Sequence, residues 1–153
     1  LPRLRETGHL FTFCNNGESL AIFYPELYRR FDKVVCLVWD KGHVGLGRVW
    51  RRQHELILAA RWTSSVFQED GQLRGDVLHA HATPSRLRNH PVEKPVDLLA
   101  DLIHLTSLPN GVVLDPFMGG GSTLEAAVSQ GRSAIGIETE ERFCAAAVVR
   151  LLG

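Results

Sequence analysis

The sequence is poor in cysteine, in long apolar runs and in net charge, and each shortage excludes something. Three cysteines (Cys14, Cys36 and Cys144) are odd in number, scattered and outside any CxxC pair. That spacing argues against a disulfide framework or a zinc site and for reduced, mostly buried thiols in a cytoplasmic protein. His79 and His81 form the tightest histidine pair, but no further ligand lies beside them in sequence, so no metal is expected. No apolar stretch approaches the roughly 18 residues that a bilayer span requires, and no signal-peptide pattern is present, so no membrane partner is expected. The seven prolines (2, 25, 84, 91, 95, 109 and 116) are nowhere adjacent. There is neither an internal repeat nor a low-complexity tract. With 44% apolar residues in 153, the chain suits a single domain with a real core.

Lysine and arginine number 17, as do aspartate and glutamate, yet the charges are unevenly placed. Residues 41–94 hold nine basic and five acidic side chains, whereas residues 95–153 hold three basic and seven acidic. The basic middle brings Arg48, Arg51, Arg52 and Arg61 close in sequence with Trp50 interleaved, the pattern of a phosphate-contacting surface or of an ordinary solvated loop.

Residues 111–138, GVVLDPFMGGGSTLEAAVSQGRSAIGIE, are the most informative stretch. Residues 111–115 form an apolar run ending in Asp115, which predicts a buried parallel strand. Gly119, Gly120 and Gly121 open a helix predicted over 122–130, with Gly131 placed to end it. A second apolar run, 133–137, ends in Glu138. Strand, glycine turn, helix, strand and acid make half of a nucleotide-binding α/β unit. Its glycines admit close backbone approach, and its helix N-terminus favours an anionic group. Glu138 lies 19 residues beyond Gly119, where a carboxylate accepts hydrogen bonds from a ribose diol. No lysine precedes Ser122, so the phosphate-loop pattern fails, and Leu124 occupies the third glycine position of a dinucleotide fingerprint. A ligand with a ribose and a carboxylate but no phosphate fits, and S-adenosylmethionine is the candidate. The bland alternative is a glycine turn that only lets a helix pack on its sheet.

Elsewhere the periodicity predicts a helix over 20–31, with Leu20, Phe23, Leu27 and Phe31 on one face, weakened or delayed by Pro25. Strands are expected at 34–39 and 53–62, the latter antiparallel to its neighbours, around a glycine-containing loop at 41–52. Residues 63–89 show no sustained period. Pro95 suits the first position of a helix whose residues 95, 98, 99, 102 and 103 face inward. Thr139 suits the cap of a final helix over 140–152, with Phe143, Ala146, Ala147 and Leu151 inward.

With His90-Pro91-Val92-Glu93-Lys94-Pro95 upstream and Asp115-Pro116-Phe117-Met118-Gly119-Gly120-Gly121-Ser122-Thr123 downstream, the chain resembles the amino-group DNA methyltransferases, which modify adenine N6 or cytosine N4. It resembles most their permuted beta class, in which the cofactor half follows the catalytic half. The stretch Leu4-Arg5-Glu6-Thr7-Gly8-His9-Leu10-Phe11-Thr12-Phe13 looks like that family's strand-five passage. Val38-Trp39-Asp40-Lys41 and His54-Glu55-Leu56-Ile57-Leu58 look like its last two strands. The resemblance covers all but residues 63–89.

That resemblance implies an α/β, Rossmann-like methyltransferase fold of three α/β/α layers, mostly parallel with one antiparallel strand. It divides one domain, 1–153, into part of a catalytic half (1–62), a short target-recognition segment (63–89) and a cofactor half (90–153). S-adenosyl-L-methionine is the implied cofactor and double-stranded DNA the implied partner, in restriction–modification or phage protection. Asp115, Pro116, Phe117, Gly119 and Gly121 are expected around the methionine end of the cofactor. Ser122 and Thr123 are expected to offer hydroxyls and amides, and Glu138 to hold the ribose, with His90 and Lys94 near by. Arg48, Arg51, Arg52, Arg86 and Arg88 are the expected DNA contacts.

The family presents its target amine to a tetrapeptide of acid, asparagine or serine, then two prolines, then an aromatic, and no such tetrapeptide exists here. No residue of this chain is therefore assigned to catalysis. The sheet is expected to be incomplete at its centre, because the strand carrying the tetrapeptide is absent. The chain reads as the C-terminal two-thirds of an enzyme, completed by an N-terminal segment, a complementing chain or a homodimeric partner. A non-catalytic cofactor- or DNA-binding module, as a degenerate relative or half of a split enzyme, is the alternative.

Overall fold

The computed structural model describes residues 4–68, 74–84, 90 and 92–153. The chain divides into two compact units, residues 1–81 and 82–153.

In the first unit the elements are β1 (His9–Cys14), α1 (Glu18–Tyr28), β2 (Lys33–Asp40), β3 (His54–Arg61) and β4 (Val77–His79). They form one sheet in the order β1-β3-β2-β4. The expected antiparallel strand is β3, which runs opposite to both β1 and β2, while β4 lies parallel to β2. Strand β4 is an addition, falling where no period was legible; three residues are too few to print an alternation. The core gathers Cys14, Leu27, Phe31, Leu56, Leu58 and Ala60. Helix α1 starts before Pro25 and runs through it. Ala21, whose carbonyl loses its partner to the proline ring, is exposed on this helix, so water can satisfy it. Leu27 and Phe31 are buried as expected, but Phe23 is exposed. It sits about 60° round the helix from Leu20, at the margin of a narrow buried stripe.

The second unit holds α2 (Val96–Thr106), β5 (Val112–Asp115), α3 (Ser122–Ser129), β6 (Ser133–Gly136) and α4 (Glu141–Leu152). Strands β5 and β6 pair in parallel from Val112↔Ser133 to Asp115↔Gly136, with α3 as their crossover. Leu98, Leu99, Leu102 and Ile103 of α2 are buried with Leu124, Ala126 and Ala127 of α3 and Ala147 of α4. Buried Arg132 clamps this unit: its Nε donates to Ser107 Oγ at 3.0 Å and its Nη2 to the Ser107 carbonyl at 2.7 Å.

Several local expectations need correction. Pro95 stands at the N-cap with extended backbone, one position before the helix. The cap of α4 is Glu140 rather than Thr139, and no side-chain bond closes it. Leu151 is exposed; Ala147 is the most deeply buried residue of that helix. Strands β5 and β6 are not buried on both faces, since Val112, Leu114 and Ile135 are each more than half exposed, as is Ile137 directly after β6. Alternation along β5 and β6 puts these four side chains on one face, while α3 covers the other. Among the described residues β5 pairs with β6 alone and β1 with β3 alone.

Candidate cofactor-binding site

The turn after β5 is built from its acids. Asp115 Oδ1 accepts the Phe117 amide at 3.0 Å and bends the chain out of the strand. Pro116 and Phe117 are then exposed, Phe117 at 87%. Met118 donates its amide to the Ile137 carbonyl at 3.0 Å, and Gly119 donates its own to Glu138 Oε2 at 3.1 Å. Gly119 and Glu138, 19 residues apart, are thus in direct contact, whereas the spacing points only to a ribose as the partner of this carboxylate. Glu138 Oε1 also accepts the Thr139 amide at 2.7 Å and the Glu140 amide at 3.0 Å. Those backbone donors, Glu140 and Thr139 foremost, hold the Glu138 carboxyl below the usual carboxylate range. A carboxylate offers about four acceptor positions, so three amides leave room for a ligand donor mainly on Oε2. Glu138 is therefore partly spent on its own turn, which spacing alone did not reveal.

The glycines divide into two roles. Gly119 (φ 51°) lies under the His90 ring, whose nearest atom would be 3.1 Å from an added Cβ. His90 in turn packs edge-on against Phe143 of α4, with centroids 4.4 Å apart. The His90 ring thus covers the glycine turn at Gly119. Gly121 (φ 82°) is different: an added Cβ would meet the Ala147 Cβ at 2.7 Å and its Cα at 3.0 Å. At this position glycine lets α3 approach α4. Ser122 is buried and Thr123 half-buried at the start of α3. Lys94 is half-buried in the segment leading to α2.

One feature of this unit escaped the sequence reading. Arg150 Nη2 lies 2.7 Å from Glu93 Oε1 and its Nε 3.3 Å from Glu125 Oε2, with the Arg150 and Glu93 side chains almost wholly buried. The bridge ties the segment after His90 to α3 and α4. Its signal was present: Arg150 continues the spacing of Phe143 and Ala147, which puts a cation on an inward face.

The expected DNA contacts fall in two places. Arg48, Arg51 and Arg52 are all exposed in the loop between β2 and β3. Arg51 also braces that loop, its Nε donating to the Gly45 carbonyl at 2.7 Å. Arg61 does not join them. It ends β3, about 23 Å along the strand from His54, and its guanidinium lies over Phe67. Arg86 and Arg88 lie outside the described residues. Glu55 receives Lys41 Nζ at 2.6 Å across the base of the hairpin, a structural pairing. His79 approaches Asp40 at 3.3 Å beside a cavity of about 260 Å³ lined also by Gly42, Ala80 and His81. Among the described residues no three acidic, histidine or cysteine side chains are grouped to hold a metal ion, and no helix is long and apolar enough to cross a membrane.

Comparison with known proteins gives a family profile described as DNA methylase, matching residues 16–149. A putative methylase YubD of Escherichia coli K12 is 52% identical over 64 residues, which make up 42% of this chain and 28% of that protein. The type II methyltransferase M.HinfI of Haemophilus influenzae is 47% identical over 62 residues, 40% of this chain and 17% of the relative. The matches thus span well under a third of these relatives' lengths. Among solved structures, M1.HpyAVI in complex with SAM superposes with a TM-score of 0.81 at 24% identity, covering 98% of this chain and 77% of the other. The cytosine-N4-specific PvuII DNA methyltransferase superposes with a TM-score of 0.75 at 15% identity, covering 99% and 66%. At such identities the superpositions establish a shared α/β methyltransferase fold.

Proposed function

The chain belongs to the DNA methylase family, and from that premise we propose that it is the cofactor-binding part of an S-adenosylmethionine-dependent methyltransferase. Its substrate is duplex DNA, where the methyl group goes to the N6 amine of adenine or the N4 amine of cytosine, as in restriction–modification. The observation carrying this reading is the Gly119–Glu138 contact at the carboxyl ends of β5 and β6, where α/β folds bind nucleotides. The ligand fits the donors and acceptors available. It brings ribose hydroxyls, an ammonium and a sulfonium, all suited to carboxylates, and the site presents Asp115 and an ionised Glu138, with no lysine within the glycine turn to cradle a phosphate.

In this reading Glu138 Oε2 accepts from the ribose and Asp115 faces the methionine end. Exposed Phe117 supplies an apolar surface, and Ser122 and Thr123 line the start of α3. His90 covers the turn at Gly119, and Lys94, a few residues on, is assigned to the cofactor with it. When bound, the cofactor supplies an electrophilic methyl group on sulfur. The chain's own residues orient it and hold the Glu138 charge, but none of them accepts hydrogen bonds from the target amine. Because the Pro-Pro tetrapeptide is absent, transfer requires a polypeptide that supplies it. The exposed face of Val112, Leu114, Ile135 and Ile137 supports such a complement. Residues 63–89 serve target recognition, with Arg86 and Arg88 reading bases and Arg48, Arg51 and Arg52 contacting phosphates. The complete protein acts in the cytoplasm.

Isothermal calorimetry tests the cofactor assignment. S-adenosylmethionine should bind the wild-type chain and bind Glu138→Ala at least about tenfold more weakly, the worth of one charge-assisted hydrogen bond. Unchanged affinity defeats the ribose role. Tritiated cofactor should leave no label on DNA with this chain alone, and label on DNA would refute the need for a complement.

A further inference from the structure

The loop between β2 and β3 is more than a run of arginines. Residues 41–54 hold four basic side chains and no acidic one. The loop is closed at its base in several ways. The Lys41 amide donates to the Gln53 carbonyl at 3.0 Å and the Gly45 amide to the Arg52 carbonyl at 2.8 Å. Asp40 Oδ1 accepts both the Gly42 amide and Gln53 Nε2. A Cβ on Gly45 would fall 2.7 Å from the Arg52 carbonyl oxygen, so the two arms approach as closely as glycine permits. Beyond this closure the tip carries Leu46 at 97%, Val49 at 81% and Trp50 at 94% exposure. The other two tryptophans are placed differently: Trp39 is 1% exposed, and Trp62 packs on Phe31 with centroids 4.5 Å apart. An indole and two aliphatic side chains held in water at the tip of a braced ribbon, with Arg48 and Arg51–Arg52 on either side, form a surface with one fitting partner. Phosphates meet the arginines, and the π-faces of bases meet the ring.

We propose that this tip is a wedge that enters the base stack of duplex DNA, with Trp50 as the stacking group, Leu46 and Val49 beside it, and Arg48 and Arg52 on the flanking phosphates. The inference rests on the DNA reading above and adds to it a means of filling the space a displaced base leaves. Chemistry on a base in a duplex requires that base to leave the stack. Apolar side chains inserted between base steps stabilise such an opening, and a two-stranded ribbon fits a groove. Charge complementarity selects DNA over a neutral apolar protein surface.

The test measures anisotropy of a short fluorescein-labelled duplex, intact or with one central abasic site that leaves the stack already open. The wild-type chain should favour the abasic duplex about tenfold, and Trp50→Ala should lose that preference, the scale of one base–aromatic stack. Trp50→Phe should keep most of it, and all three should show the same salt dependence on the intact duplex. Binding to the abasic duplex should also quench tryptophan emission in the wild type and not in Trp50→Ala. An undiminished preference in Trp50→Ala overturns the wedge while leaving DNA binding in place. If Arg48→Gln and Arg52→Gln weaken binding but every Trp50 variant behaves as wild type, the tip holds phosphates only, and the wedge is likewise overturned. Failure of the wild type to bind either duplex overturns the DNA reading and the wedge with it. Stronger binding to anionic phosphatidylserine vesicles than to DNA does the same.

Discussion

Alanine at position 121 separates what the glycine turn does for folding from what it does for a ligand. Two terms act at Gly121. Its φ of 82° is left-handed, which alanine adopts at a cost of about 1 kcal/mol. An added Cβ would also stand 2.7 Å from Ala147 Cβ and 3.0 Å from its Cα, an overpacking of about 1–3 kcal/mol because helix backbone cannot swing aside. Gly121→Ala should therefore lose about 2–4 kcal/mol, and Gly131 supplies the control. Its φ is 71° with nothing within 4 Å of an added Cβ, so Gly131→Ala should lose only the conformational term of about 1 kcal/mol. Urea unfolding at constant protein concentration measures both. With a slope of about 2 kcal/mol per molar, the Gly121→Ala midpoint should fall by about 1–2 M and the Gly131→Ala midpoint by about 0.5 M. Ala147→Gly removes the struck methyl, at its own helix cost of about 1 kcal/mol, so the pair should be non-additive in a double-mutant cycle. Equal losses at 121 and 131, or strict additivity of Gly121→Ala with Ala147→Gly, would refute the packing role and return Gly121 to the ligand.

Glu138 predicts a pH dependence with a definite sign. Its folded-state carboxyl ionises below the ordinary value, so its stabilisation is full above the unfolded value of about 4.3 and disappears as pH falls through the lower folded value. The stability difference between wild type and Glu138→Gln in urea titrations should be clear at neutral pH and shrink in acid; a difference that grows in acid contradicts the amide cage. Arg150→Met takes the guanidinium from an almost wholly buried Glu93 and should destabilise by about 3–5 kcal/mol, with much of this recovered in Glu93→Leu/Arg150→Met. Thermal melts of the single and double variants check it, and a single variant as stable as wild type would show the bridge contributes nothing.

Much of the second unit was legible because its signals are local. Asp115, the glycines, Gly131 and Glu138 mark ends of short elements, where backbone conformation dictates residue type. The strand-turn-helix-strand order followed from these, and with it the place of Glu138 just beyond the second strand. The antiparallel sense of β3 was likewise expected from the chain's resemblance to its family. Periodicity read buried stripes well on α2, where four inward residues agree with the pattern, and less well on α1 and α4, whose stripes are narrower than the apolar spacing.

What tertiary structure alone decided was the division of labour within the motif. A glycine required by a ligand and a glycine required by a neighbouring helix look identical in sequence, because both are the same missing Cβ. The position of Ala147 gives Gly121 its packing role, and the His90 ring covers Gly119. A glutamate that also receives backbone amides likewise reads as one wholly free for a ligand until the amides of Thr139 and Glu140 are seen to turn toward it. Arg48 and Arg61 are near in sequence, yet a strand held straight by its ladders carries them apart. Sequence records which groups are available; their partners are set by which segments the sheet and helices bring within reach.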